Sequence, residues 1–144
     1  MESWKTHGRH RYYISGDVLV YEPHGSHTLD EMRGLLALTA QQGTQYGYLI
    51  TLANVKEGSP DSPEARKLVT DWQRAHPYPG LTVLFGAGTL MRVAATMLLR
   101  ANQLINKQAA DMRFVAREEE AWAIADQERA RLRQGRDLSI KGRS

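Results

Sequence analysis

Hydrophobic and polar positions change their period along this chain, and each change marks an element. In "HRYYISGDVLVYEPHG" two short runs, His10 to Ile14 and Val18 to Glu22, flank Ser15-Gly16-Asp17, whose small and polar residues suit a tight turn. A β-hairpin is predicted there. In the "SHTLDE" that follows, Thr28 and Glu31 have capping-box spacing, in which two side chains satisfy free helix amides reciprocally. A helix is expected from about Leu29, with Met32, Leu35, Leu36 and Leu38 or Thr39 at helical spacing and Gly43 closing it in a left-handed conformation.

"YGYLITLANV" is a nearly continuous apolar run of strand length, which suits a central strand covered on both faces. A loop and a second helix follow, with Ser62 as its cap and Pro63 in its first position, where the missing amide costs nothing. Leu68, Val69 and Trp72 form its inward stripe, and His76-Pro77 ends it. "LTVLFG" is the next buried strand, and a helix from Thr89 to Asn106 comes after it, capped by Thr89. "MRFV" is a short final strand. The last helix is expected from Glu118 to Gln134, with Ala121, Trp122, Ile124 or Ala125, and Leu132 inward, and residues 136–144 as a mobile basic tail.

Strands alternating with helices imply crossovers between parallel neighbours. The expected fold is therefore α/β: a mixed sheet of about five strands, an antiparallel N-terminal hairpin followed by parallel strands, with four helices in one domain over residues 1–135.

Composition narrows the function classes. At 144 residues, 42% hydrophobic and 24% charged, the chain has the make-up of an ordinary globular domain. Its lack of cysteine removes a disulfide framework, a thiolate zinc site and a cysteine nucleophile. "MESWKTHGRHRYYIS" has no apolar core of a signal peptide, and Arg92, Arg100 and Asn102 interrupt the longest apolar stretch, so a cytoplasmic protein without a membrane span is expected. The net charge of +3 sits largely at the two ends, in Lys5, Arg9 and Arg11 and in Arg129, Arg131, Arg133, Arg136, Lys141 and Arg143. No aromatic-interleaved basic stripe accompanies it, so nucleic acid is not an expected partner.

The order of elements, "YLITLANVKEGSPDSPEARKL" and "PYPGLTVLFGAGTLMRVAATMLL" together resemble the SpoIIAA-like branch of the STAS superfamily, the anti-sigma-factor antagonists and their relatives, from about Arg11 to Arg133. The resemblance implies a compact mixed sheet with helices, a non-enzymatic regulatory or interaction role, and in some members a lipid or small-ligand cavity beneath the helices. It also implies a phosphorylated serine at the start of the helix after the central strand, for which Ser59 and Ser62 are the matching positions. Asn54 stands where an aspartate is common in that family, and the Ser-Ser-Gly or Thr-Gly type signature is absent. A phosphate there would meet free amides at a helix N-terminus; helix capping by Ser62 and a polar loop at Ser59 account for the same residues.

Other motifs read as structure. Gly86-Ala87-Gly88 lacks the third glycine and the acidic residue of a dinucleotide fingerprint, and Leu90-Met91 stands where a phosphate loop needs Lys-Ser or Lys-Thr. His7 with His10 and His24 with His27 make two H-x-x-H pairs, read as exposed loop histidines without the rigid support a zinc site needs. Ser59, Asp61 and Ser62 read as turn and cap chemistry, and Glu118, Glu119 and Glu120 as complements to a helix dipole. No catalytic residue, cofactor or metal is expected.

In the helix from Leu90 to Ile105, Val93, Ala94, Met97, Ala101 and Leu104 make one apolar face, while Met91, Ala95, Leu98, Leu99 and Ile105 spread around the rest. Such a helix is central in the core or buries its outer side on another surface. Met91, Ala95, Leu98 and Leu99 are the candidate interface or apolar-ligand surface. The chain thus reads as a regulatory or protein-interaction module that forms a homodimer and meets a partner such as a kinase or anti-sigma factor. The alternative is a binding protein for a lipid or small apolar ligand, with a cavity beneath helix 89–106.

Overall fold

Six strands form one sheet in sequence order: β1 (Lys5–His7), β2 (His10–Ser15), β3 (Val18–Glu22), β4 (Leu49–Asn54), β5 (Gly80–Phe85) and β6 (Asp111–Val115). The first three pair antiparallel and β3 to β6 pair parallel, with α1 (Leu29–Tyr46), α2 (Pro63–Ala75) and α3 (Thr89–Ile105) in the crossovers and α4 (Glu118–Lys141) at the end. This computed structural model describes residues 3–105 and 111–141, without the side chains of residues 95, 98, 99, 101–105 and 136–141.

Successive right-handed crossovers running one way across a sheet leave their helices on a single face. Accordingly α1 packs on α2 and α2 on α3, while α4 lies on β4, β5 and β6 from the opposite face. The period-two alternation of the strands separates two interiors. Val18, Val20, Ile50, Leu52, Leu81, Val83 and Phe85 meet Ala121, Ala125 and Leu132 of α4. Ala53, Val55 and Leu84 face the other way, with Met91, Met112 and Phe114 against them.

The sheet has six strands rather than five. β1 is three residues of exposed, polar edge, joined to β2 through Gly8 at φ 60°, and it carries no hydrophobic alternation from which a strand could be read. Its Lys5 pairs in register with Tyr12.

Thr28 and Glu31 form the reciprocal capping box, and Ser62 caps α2 with Pro63 following. Gly43 does not close α1: the left-handed cap is Gly47, at φ 79°, one turn later. Gly43 is buried mid-helix because the Tyr78 ring lies against it, so close that a Cβ would sit 2.4 Å from Tyr78 Cε2. Thr89 is the first residue of α3 and the Gly88 carbonyl accepts from the Arg92 amide, which puts the cap position at Gly88. α4 extends past Gly135 to Lys141, beyond the expected Gln134.

A buried charge ties α4 to the β2–β3 turn. Asp17 is 1% exposed and meets Arg129 Nε at 2.9 Å, Arg133 at 3.3 Å and the Tyr48 hydroxyl at 2.5 Å. Among the described residues no helix is long and apolar enough to cross a membrane.

Candidate functional site

Between the sheet and α1, α2 and α3 lies a cavity of about 250 Å³. Met32, Leu35, Leu36 and Thr39 of α1 form one wall and Val69, Trp72, Gln73 and His76 of α2 another. Thr51, Ala53, Thr82 and Met112 form the floor; Thr51 and Thr82 are direct neighbours across β4 and β5. Of the sequence candidates on α3, Met91 lines this cavity and packs with Ala53 and Leu84, while the side chains of Ala95, Leu98 and Leu99 lie outside the described residues.

One end of the cavity is polar, because the parallel sheet brings two equivalent loops together. His27 immediately precedes the cap of α1 and Asp61 immediately precedes the cap of α2. Each therefore sits where a strand's C-terminal end turns into a helix, and β3 and β4 are neighbours. An isolated parallel bridge between Gly25 and Gly58, with the Gly25 amide donating to the Glu57 carbonyl at 2.8 Å, holds the two loops side by side.

There Asp61 Oδ1 accepts from the His27 amide at 2.8 Å and lies 3.0 Å from ring Nδ1, while Nε2 of the same ring is 3.1 Å from the Tyr21 hydroxyl. Burial, then the negative charges of Glu31 and Asp61, push the Tyr21 phenol well above its ordinary pKa, so it stays protonated.

His10 stacks on His27 with ring centroids 4.1 Å apart. It is 1% exposed, its Nδ1 accepts from the His24 amide at 2.9 Å, and its Nε2 points at Glu31 Oε1, 3.2 Å away but poorly aligned. Burial, then the neighbouring His27, hold its pKa below the usual imidazole value. Glu31 is drawn down to about 2, first by the Thr28 amide of the capping box and further by the Arg9 amide and His10. The reading of these histidines as exposed loop residues holds for His24, whose side chain is 41% exposed, and fails for the others: His10 is core, His27 has a side chain 8% exposed, and His7 Nε2 lies 2.6 Å from the Glu31 carbonyl. H-x-x-H spacing hid this, since the pairing that matters joins one histidine from each pair. Among the described residues no group of three acidic, histidine or cysteine side chains is placed to hold a metal ion.

The two serine candidates separate. Ser62 Oγ accepts from the Ala65 amide at 3.2 Å as the cap of α2, whereas exposed Ser59 stands at the cavity rim without that duty. Asn54 acts locally: its amide donates to Glu22 at 3.3 Å and its oxygen accepts from the Lys56 amide at 3.2 Å. Glu22 also holds Arg11 at 2.5 Å and His24 at 2.7 Å, and Arg11 first of all keeps its pKa low.

On α3, Val93 and Met97, two members of the apolar face that the pattern groups together, are 51% and 61% exposed, and Leu90 beside them is 69% exposed. Met91 takes the inward position because the cavity wall and Met112 receive it.

No family model matches the chain, and no curated protein matches its sequence.

Proposed function

We propose that this chain is a non-enzymatic binding module, STAS-like in architecture, that holds a small and largely apolar ligand between the sheet and helices α1 and α2. The cavity of about 250 Å³ carries this reading. Interiors pack at nearly crystalline density, and a cavity a little under the roughly 300–1,000 Å³ of drug-sized ligand pockets, lined by leucine, methionine, valine and tryptophan beside a few polar groups, suits a small ligand. The walls come chiefly from α1 and α2, with α3 supplying Met91.

Methionine methyl NMR tests it directly. On titration with n-hexanol, the Met32, Met91 and Met112 methyls shift together and saturably, while the Met97 methyl, on a side chain 61% exposed, serves as the control. Replacing Ala53 with Phe fills the space and abolishes the shifts. Absence of any saturable shift at the three cavity methyls in the wild type would sink the proposal.

A second reading is a protein-interaction module that pairs with another copy of itself or with a regulatory protein. The outward stripe of Leu90, Val93 and Met97 on α3 favours it. If that stripe is a homodimer seam, Leu90→Asp with Val93→Asp gives a folded monomer by light scattering from a dimeric parent. A parent that is monomeric at every concentration removes the homodimer.

A further inference from the structure

We infer that the cavity selects ligands bearing a hydrogen-bond donor, such as an aliphatic alcohol, and that Tyr21 is the residue that reads the donor. The inference rests on the binding role proposed above and adds the chemistry of the ligand's polar group.

The direction of the hydrogen bonds decides the matter. A carboxylate oxygen only accepts, and Asp61 Oδ1 lies 3.0 Å from His27 Nδ1, so Nδ1 carries the ring proton. With the ring neutral, Nε2 is an acceptor, and the Tyr21 hydroxyl 3.1 Å away supplies its hydrogen. Tyr21 has one proton, and it is engaged with His27. What the phenol oxygen offers to a ligand is lone pairs alone.

The surroundings hold that polarity in place. His10, buried and stacked on His27, fixes the ring plane, and the His27 amide donating to the same Asp61 oxygen at 2.8 Å fixes the carboxylate. A ligand hydroxyl or amide N–H placed at Tyr21 completes a chain of donors that ends on Asp61. An ether or ketone oxygen in that place sets lone pair against lone pair. Glu31 and Asp61 both press negative charge on Tyr21, which disfavours a carboxylate ligand as well. Thr51 and Thr82 on the floor can each donate or accept by rotating, so they do not discriminate between these ligands.

Two isomers of equal size make the test: n-hexanol and methyl pentyl ether, titrated against the full chain at about pH 8.5, above the ordinary imidazole range, with the cavity methionine methyls as the readout. The alcohol is expected to bind about three- to tenfold more tightly than the ether, the range of one hydrogen bond, and hexanoate more weakly than the alcohol. Tyr21→Phe removes the preference. His27→Leu instead frees the Tyr21 proton, which alcohol and ether oxygens both accept, so the ether's affinity rises and the alcohol's preference narrows, a gain that mere loss of packing would not give. Equal binding of the two isomers by the wild type overturns the inference and leaves the binding module standing. Binding of neither overturns the binding module, and the inference falls with it.

Discussion

Asp61 accepts both the backbone amide of His27, at 2.8 Å, and its ring Nδ1, at 3.0 Å, across 34 residues of sequence. The pair is the side-chain tie between the loops that open α1 and α2. Asp61→Ala is expected to cost about 1–2 kcal/mol, less than a fully buried charge-assisted bond because the carboxylate keeps some solvent access. Urea denaturation reads this directly, and an unshifted midpoint would mean that the Gly25–Gly58 bridge holds the loops unaided.

The acid limb of stability should carry the mark of Glu31. Its carboxyl is drawn down to about 2 by the Thr28 amide first and then the Arg9 amide and His10. A folded-state pKa below the unfolded one contributes stability that is present above the ordinary carboxylate range and is lost as pH falls towards about 2. Glu31→Gln should therefore be less stable than the wild type near neutrality, with the gap closing between about pH 4.5 and pH 2. A gap that stays constant with pH contradicts the assignment.

At the other face, the two arginines on Asp17 are not equivalent. Arg129 has a side chain 24% exposed and contacts Asp17 at 2.9 Å, whereas Arg133 is 58% exposed and lies at 3.3 Å. Both changes leave the same buried Asp17, so the order follows the arginine removed: the less solvated partner interacts more strongly with it. Arg129→Met should cost about 2–3 kcal/mol, reduced from the usual range because Arg133 and Tyr48 still reach Asp17; Arg133→Met should stay below about 1 kcal/mol, as exposed pairs do. Chemical denaturation of the two variants side by side checks the order, and equal losses would refute it.

Glycine supplies a sharper contrast. A Cβ on Gly80 would lie 2.0 Å from the Leu49 carbonyl oxygen of the adjoining parallel strand, so Gly80→Ala must displace backbone. A loss of about 3 kcal/mol, the upper end of overpacking, is expected. At Gly88 a Cβ would meet nothing within 4 Å, so Gly88→Ala should lose only capping at the start of α3, about 0.5–1 kcal/mol. Thermal melts of both variants decide it; a tolerated Gly80→Ala would mean that β4 and β5 slide apart easily.

Some of this was legible in the order of residues. Thr28 with Glu31 and Ser62 with Pro63 announce helix starts, because capping is a contact between near neighbours. Parity along β3, β4 and β5 sorts buried residues onto two faces, because alternation is a property of a single strand. β1 escaped, since a polar edge strand is defined by its partner and not by its own pattern. The cap of α1 fell at Gly47 rather than Gly43, since either glycine suits the end of a helix and the packing of Tyr78 decided between them.

What the sequence determined by itself is everything that acts over a few residues: caps, turns, strand parity and the α/β succession. Tertiary structure decided which polar groups meet and which way each helix faces. His27 and Asp61 come together because adjacent parallel strands deliver their following loops to the same edge. Val93 turns outward and Met91 inward because a helix apolar on several sides takes its rotation from the surface that receives it. Such choices depend on surfaces assembled from distant parts of the chain, and local periodicity holds no record of them.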